Sequence, residues 1–444
     1  MKSTFHRLAL LAAGAMLCSG CASATTGVEE MLRAPQLTGP QSQLQKALNS
    51  YLGEAPQLKY PSQGETLSPF VFGDWNGDGQ LDAAALYTTQ TGGQNVHLAI
   101  LEQINGSWQV TQERTGLSTA VESVDTAAMH AEGGMQLLVG YGAASGEKYL
   151  AVYAYQDEVI TEVLEQPYSQ YEVQDITGSG MKDLILMGPE TGEGLTVQLL
   201  TTVEGQFIQA QELHIGKEYF TSCDGMYVSK AADGSYQLVL DGRTGTAGNL
   251  ASMVLQYDRV EQQFSAYTPT DGTFIYTDSQ RYSNLLRSRD INGDGSVEIP
   301  HELQNQTGLL MPSRLTFLGW MDYSAPGSPQ KSFGVADLEY GYYLALPDSW
   351  QGQVMVADGT QPGSWQVYSL DGQVPYLEVR VVSPGTADEG YRRLGNLGAQ
   401  QVQVKILQEQ QDAEKEQDAH EPTQQPLLEY GNWLQTMAQG FIVL

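Results

Sequence analysis

Two short stretches of this chain place oxygen-bearing side chains at every second position. FGDWNGDGQLDAA covers residues 72–84, and RDINGDGSVEIP covers residues 289–300. Calcium takes six to eight oxygen ligands, and alternate positions of a tight loop can point toward one centre. The residues predicted to bind calcium, with Gln80 and Ser296 contributing backbone carbonyls, are Asp74, Asn76, Asp78, Gln80, Asp82, Asp290, Asn292, Asp294, Ser296 and Glu298.

The alternative is that both stretches are turns without metal, because Asn-Gly and Asp-Gly are favoured hairpin turns on their own. Carboxylates packed into nine residues repel each other without a cation, which favours the metal. An EF-hand would need a carboxylate at its twelfth position. That position holds Ala85 in the first stretch and His301 in the second, so a nine-residue calcium loop between strands is preferred.

The loop pattern recurs at a period of roughly fifty residues, as expected for a repeat protein. The matching glycines are Gly79, Gly133, Gly180, Gly234 and Gly295, and three residues later come Asp82, Gln136, Asp183, Gln237 and Glu298. A weaker calcium site is predicted in the middle copy, from Asp175, Thr177, Ser179 and Asp183. Ala128 and Ser229 stand at the first position of the other two copies, which are therefore predicted to be turns only.

Between the loops lie strand-turn-strand patterns such as VHLAILEQINGSWQV, with period-two alternation. A repeat of this length with about four short strands is typical of a propeller blade. The D-x-N-G-D-G-x-x-D core resembles the FG-GAP or VCBS repeat of integrin-type β-propellers. This resemblance implies a mainly β protein, with a propeller of about five or more blades over residues 63–325.

The N-terminus has the layout of a secretory leader, with Lys2 and Arg7 before an apolar run that is too short to span a membrane. LCSGCAS resembles the lipobox of bacterial lipoproteins, which implies a signal peptide over residues 1–20 and a lipid on Cys21. The alternative is an ordinary cleaved leader. Residues 21–62 are predicted to be a tether and a short amphipathic helix. EEMLRAPQLTGPQSQLQKAL also resembles a group of bacterial lipoproteins that carry such repeats.

The C-terminal part, residues 326–444, lacks the repeated loop pattern of the preceding residues. GYYLALPDSWQGQVMVA indicates two strands around a turn and resembles the opening of PsbP/Mog1-type domains, which implies a small α+β domain. The run at about 408–425 is charged and poor in apolar residues, so an exposed insert is expected there.

Charge and motifs limit the function. The net charge is −30; without the two basic residues of the leader, 20 basic residues face 52 acidic ones, or −32. Such a chain should be repelled by nucleic acid. It contains no G-x-S-x-G elbow, P-loop or H-E-x-x-H motif. With Cys18 in the leader and Cys21 carrying the lipid, Cys223 would be the one free cysteine, and a buried structural role is expected for it.

We therefore predict a lipid-anchored, extracytoplasmic calcium-binding β-propeller that acts as a binding or scaffolding module. It would be held at the outer face of a bacterial membrane or cell surface by the lipid on Cys21, and would bind a protein or carbohydrate. One alternative is a hydrolase or lyase acting on polysaccharide or peptide at the propeller mouth. The other is an accessory subunit of a membrane-associated assembly.

Overall fold

The computed structural model describes residues 39–90, 93–130, 134–156, 159–245, 248–269, 274–303, 311–325, 327, 330–386, 390–407 and 430–444. The predicted signal peptide, Cys21, most of the tether and the charged insert lie outside these residues. The described part is mainly β, as predicted. Its helices are all too short or too polar to cross a membrane.

One helix and a first sheet open the described chain. Helix α1 (Gly39–Leu52) stands where the sequence predicts an amphipathic helix, and it ends at Gly53 with a φ of 71°. Sheet 1 contains β1 (Gln57–Leu58), β2 (Phe70–Gly73), β3 (Asp82–Thr88), β4 (His97–Ile104) and β5 (Ser107–Thr115). Every residue of β3 is buried, because this sheet is covered on both faces.

The next three sheets are antiparallel meanders in which consecutive strands are neighbours. Sheet 2 contains β6 (Ala120–Ala127), β7 (Gln136–Gly142), β8 (Lys148–Gln156) and β9 (Val159–Pro167). Sheet 3 contains β10 (Gln170–Gln174), β11 (Asp183–Met187), β12 (Gly194–Val203) and β13 (Gln206–Gly216). Sheet 4 contains β14 (Ser222–Lys230), β15 (Tyr236–Thr244), β16 (Asn249–Asp258) and β17 (Gln263–Ala266).

Two five-stranded sheets complete the fold, after the short helix α2 (Ile275–Asp278). Sheet 5 contains β18 (Glu298–Leu303), β19 (Leu315–Asp322), β20 (Gln330–Asp337), β21 (Tyr342–Leu346) and β27 (Phe441–Val443). Sheet 6 contains β22 (Val354–Asp358), β23 (Ser364–Ser369), β24 (Pro375–Val382), β25 (Tyr391–Leu397) and β26 (Gln400–Ile406). Helix α3 (Tyr430–Gln439) precedes β27, and a 3-10 turn spans Asp348–Trp350. Sheet 5 takes strands from both sides of the domain boundary predicted at residue 325.

Tight turns set the register of the hairpins. Between β4 and β5, Asn105 and Gly106 have φ values of 53° and 76°. Two successive residues with positive φ form the type of turn whose twist matches paired strands, and Asn-Gly adopts it at low cost. The strand-turn-strand pattern predicted at residues 96–110 therefore corresponds to the β4–β5 hairpin.

Consecutive sheets pack face to face through apolar clusters. Leu86 and Ile100 of sheet 1 pack on Val139 of sheet 2. The same kind of contact joins sheet 2 to sheet 3, sheet 3 to sheet 4, sheet 4 to sheet 5, and sheet 5 to sheet 6. Burial of these faces is the main source of stability, at about 25 cal/mol for each Å² of apolar surface removed from water.

The opposite face of sheet 1 is covered by α1. Leu44 and Leu48 are fully buried there against Phe70, Ala85 and Leu101. No apolar cluster in the described part of the chain joins sheet 6 to sheet 1, and no closed ring of sheets is found there. The six sheets are thus an array packed in sequence order, and closure into a propeller stays a prediction.

Candidate functional site

The loop at 74–82 connects β2 to β3 and is closed by its own first side chain. The Asp74 carboxylate accepts hydrogen bonds from the backbone N–H groups of Gly77 at 2.7 Å, Asp78 at 3.1 Å and Gly79 at 3.0 Å. Asp78 in turn accepts from the N–H of Gln80 at 2.7 Å. Gly77 and Gly79 have φ values of 76° and 81°, which glycine adopts without strain.

The loop at 290–298, which leads into β18, repeats this arrangement. The Asp290 carboxylate accepts from the N–H of Gly293 at 2.7 Å and of Gly295 at 2.8 Å. Asp294 accepts from the N–H of Ser296 at 2.8 Å. The side-chain amide of Asn292 donates to Glu298 at 3.2 Å. The similar spacing of the two sequences therefore gives two loops of similar geometry.

The donor chemistry of these loops suits calcium, since carboxylate, amide and carbonyl oxygens are the ligands it prefers. The side chains are nevertheless engaged with the backbone of their own loops. Among the residues that the structure describes, no three Asp, Glu, His or Cys side chains form a group placed to hold a metal ion. The loops as they stand are closed turns built from calcium-type donors, and calcium binding there stays a prediction.

The ninth residue has the same place in every copy of the loop. It begins β3, β7, β11 or β18, or is the second residue of β15, and it is at most 3% exposed in each copy. In four copies its side chain accepts the N–H of the second loop residue. These bonds are Trp75 to Asp82 at 3.2 Å, Met129 to Gln136 at 2.6 Å, Ile176 to Asp183 at 2.9 Å and Ile291 to Glu298 at 3.0 Å.

The ninth residue of the loop is acidic in the copies whose first residue is acidic, and neutral in the copies whose first residue is neutral. Asp74, Asp175 and Asp290 are accompanied by a carboxylate at the ninth position, whereas Ala128 and Ser229 are accompanied by glutamine. The backbone N–H can be satisfied by an amide oxygen, as Gln136 shows. A buried carboxylate is therefore not needed for the turn alone, and burying one without a partner costs free energy.

The pKa values of these carboxyls record that cost. Burial, together with the charges of Glu102, Asp78 and Asp74, raises the pKa of Asp82 to about 6. Burial and the neighbouring Asp294, Asp322 and Asp290 raise the pKa of Glu298 to about 7.

In the weaker middle loop, 175–183, the pKa of the ninth residue is also raised, although fewer acidic residues surround it. Burial raises the pKa of Asp183, although the N–H groups of Ile176 and Thr177 and the hydroxyl of Thr177 all donate to it. Asp175 accepts from the N–H groups of Ser179 and Gly180, both at 2.9 Å. This loop is closed like the other two but offers only two carboxylates.

The loops of neighbouring sheets are hydrogen-bonded to each other. The N–H of Met135 donates to the carbonyl of Asp74 at 2.8 Å, which joins sheets 1 and 2. The backbone N–H of Lys182 donates to the carbonyl of Ala128 at 3.0 Å, which joins sheets 2 and 3. The backbone N–H of Lys230 donates to the carbonyl of Gly295 at 2.9 Å, which joins sheets 4 and 5. The loops therefore act as joints between successive sheets.

Trp75, inside the first loop, is part of this joint. Its side chain is 1% exposed and packs in the cluster between sheets 1 and 2. A Cβ atom at Gly134, in the neighbouring loop, would lie 2.1 Å from the Trp75 carbonyl oxygen, so only glycine fits there. The spacing of the acidic residues contained no signal for this contact.

A polar cavity of about 980 Å³ lies beside the first loop, with Asn76 and Asp78 on its wall. Glu102, also on the wall, accepts hydrogen bonds from the hydroxyls of Thr111 at 3.0 Å and Tyr155 at 3.3 Å. The loop thus faces open polar space on one side and the core on the other.

Cys223 is half-buried in β14, and burial raises the pKa of its thiol to about 12. A thiol with that pKa is not a nucleophile near neutral pH. This agrees with the structural role expected from the sequence.

No protein-family model matches this chain, and no curated protein matches it. Solved structures do show similarity. A rhamnogalacturonan lyase PL11 of Bacillus licheniformis is 10% identical, with 72% of this chain and 76% of that chain covered and a TM-score of 0.31. The exotype rhamnogalacturonan lyase YesX is 12% identical over 74% and 72%, with a TM-score of 0.31. A putative 6-phosphogluconolactonase from Bacteroides uniformis is 10% identical over 72% and 83%, with a TM-score of 0.31.

Proposed function

We propose that this chain is a lipid-anchored, extracytoplasmic binding or scaffolding module, built on a propeller-type array of sheets whose acidic loops bind calcium. The ion would be held by Asp74, Asn76, Asp78 and Asp82 with the Gln80 carbonyl, and by Asp290, Asn292, Asp294 and Glu298 with the Ser296 carbonyl. The middle copy would bind it more weakly.

The observation that carries this proposal is that the first and ninth loop positions change together between copies: both are acidic, or neither is. Glu298 and Gln136 occupy equivalent buried sites and accept equivalent backbone N–H groups. The carboxylate carries a desolvation cost that the amide avoids. A bound cation offsets that cost, and it would do so only in the copies that also supply Asp74, Asp175 or Asp290.

The ion would act on the joints between sheets. Because Asp74 and Gly295 bond through their carbonyls to the loops of the adjacent sheets, fixing either loop also fixes the packing of two sheets. An ion that binds only the folded state stabilises it by about 2.7 kcal/mol when its concentration is one hundred times Kd. This would give a rigid platform for a ligand or partner.

The lipid anchor is proposed from the lipobox-like segment that ends at Cys21. An extracytoplasmic address agrees with calcium loops, since free calcium is commonly higher there. Absence of a catalytic motif in the sequence supports binding over catalysis, and the array of apolar-packed sheets supports a scaffold.

Thermal unfolding of the purified protein, with excess calcium and then with chelator, tests the proposal. Calcium should raise the midpoint by several degrees, and magnesium should not reproduce the shift, because magnesium demands a smaller octahedral site. The double variant Asp74→Ala/Asp290→Ala should lose most of the shift.

The matched control is Asp233→Ala, which removes an exposed acid from a loop copy that has Ser229 at its first position. This variant should keep the full calcium shift. An unshifted wild-type protein that also contains no metal by elemental analysis would overturn the calcium proposal.

A further inference from the structure

A cavity of about 670 Å³ lies where the outer strand of sheet 3 meets sheet 4 and α2. Its floor is apolar, and the buried residues that line it include Ile215, Val254, Leu255 and Ile275. Cavities that hold small ligands typically measure about 300–1,000 Å³ and combine an apolar lining with a few polar groups. This space therefore has the size and floor of a ligand site, and none of its lining residues belongs to an acidic loop.

Aromatic rings form the wall and the rim. Tyr276 is fixed in place, since its hydroxyl donates to the carbonyl of Tyr219 at 2.9 Å and the two rings meet edge to face at 5.4 Å. Tyr267 completes the wall. At the rim, Phe274 is 70% exposed and Tyr219 is 44% exposed. Two large rings are thus presented to solvent at the mouth of a preformed cavity.

The polar side chains around the mouth of the cavity include both positively and negatively charged groups. Lys217 supplies donors, Glu193 and Glu218 supply acceptors, and His214 can supply either. The carboxylates oppose an anionic ligand, and the lysine opposes a cation seated against the rings. In a chain with net charge −30, this lining is close to neutral. It suits a ligand that carries many hydroxyl groups and no charge.

We infer that this cavity binds a neutral oligosaccharide. A sugar ring has an apolar C–H face that can lie on Phe274 and Tyr219, and its hydroxyl edges can exchange hydrogen bonds with Lys217, Glu193 and His214. This deepens the proposed binding role by naming a site and a ligand class, and it rests on that role but not on calcium.

The test starts with the purified protein on an array of neutral oligosaccharides of glucose, xylose, mannose and N-acetylglucosamine, beside uronic-acid oligosaccharides and apolar peptides. The tightest neutral ligand is then titrated calorimetrically into the wild type and into Phe274→Ala and Tyr219→Ala. Each variant should bind about tenfold more weakly, because each removes one stacking surface. Phe274 is mostly exposed, so thermal unfolding of Phe274→Ala should be nearly unchanged, whereas Tyr219→Ala also loses the ring contact with Tyr276 and should unfold at a somewhat lower temperature.

Tyr282→Ala is the matched control, because Tyr282 is 80% exposed in the same segment but does not line the cavity. It should bind like the wild type. The inference is overturned if no neutral oligosaccharide binds, if only uronic acids or peptides bind, or if Phe274→Ala and Tyr219→Ala bind as tightly as Tyr282→Ala.

The titrations are repeated in chelator. Sugar binding that persists without any calcium shift in thermal unfolding would support the cavity and count against the loops. A calcium shift without sugar binding would support the loops and count against the cavity.

Discussion

The acidic and the neutral copies of the loop do the same backbone work with different chemistry. In the acidic copy at 290–298, a buried glutamate receives the N–H of Ile291. In the neutral copy at 128–136, a buried glutamine receives the N–H of Met129 and donates to the carbonyl of Gly134 at 2.8 Å. The turn therefore does not depend on charge.

This difference separates two roles that the sequence motif combines. Position nine always closes the turn, and the neutral copies show that an amide is sufficient for it. The carboxylates at positions one, five and nine need a further reason, because they repel each other and one of them is buried. The neutral copies thus serve as controls within one chain for what the acidic copies gain from calcium.

The largest effect is expected from Glu298→Gln. In calcium the variant should lose about 3 kcal/mol of stability, the part that an ion at several hundred times its Kd supplies. In chelator it should be as stable as the wild type or more stable, because the buried carboxylate is gone and the amide can still accept the Ile291 N–H. Thermal unfolding in both buffers measures the change of sign. Equal destabilisation in calcium and in chelator would show that the carboxylate serves the turn and not an ion.

The reverse exchange, Gln136→Glu, should lower the free energy of unfolding by about 2 kcal/mol. It removes the donor to the Gly134 carbonyl and places a charge in a buried site whose loop begins with Ala128, so neither loss is compensated. The loss should be the same in calcium and in chelator, since this copy lacks the first ligand. Gln237→Glu is a second instance of the same exchange, in the copy that begins with Ser229. A calcium-dependent gain in either variant would mean that the ninth carboxylate alone recruits the ion.

The smallest effect is expected from a half-buried carboxyl outside the loops, because solvent screening reduces the free energy linked to its pKa shift. Burial and the charge of Asp125 raise the pKa of Glu172, in β10, to about 7. Its folded pKa lies above the ordinary value of 4.5, so the folded state holds the proton more tightly and stability falls as pH rises from about 4.5 to 7.

Glu172→Gln should remove that part of the decline, so the variant should match the wild type below about pH 4.5 and exceed it above about pH 7. Urea unfolding at several pH values measures the difference. It should be the same with calcium and with chelator, which separates this titration from that of the loops. A difference that calcium abolishes would assign the titration to the metal loops instead.

The sequence predicted much of the local structure. Period-two alternation and turns such as Asn105-Gly106 indicated the hairpins, and the helical spacing of Leu44 and Leu48 indicated α1. The loop boundaries followed from glycines whose positive φ the turn requires, as at Gly77 and Gly79. These features depend on residues that are close in the chain.

Features that depend on distant residues were not predicted. The contact of Gly134 with Trp75 and the cavity between Tyr219 and Phe274 both arise from packing between different sheets. The convergence of loop side chains on a metal is likewise not decided by spacing, because the same carboxylates can bond to the backbone of their own turn. The number of sheets was also open, since the repeat is lost after the loop that leads into sheet 5.

Helix α1 has a consequence for how these molecules behave at high concentration. A sheet with a bare apolar face invites another sheet, from the same chain or from a second molecule, and such additions can continue without limit. By placing Leu44 and Leu48 over Phe70 and Leu101, the chain ends the series at one side with an element that offers its own polar surface to water. We therefore expect α1 to act as a terminator of self-assembly, and molecules deprived of it to aggregate through sheet 1.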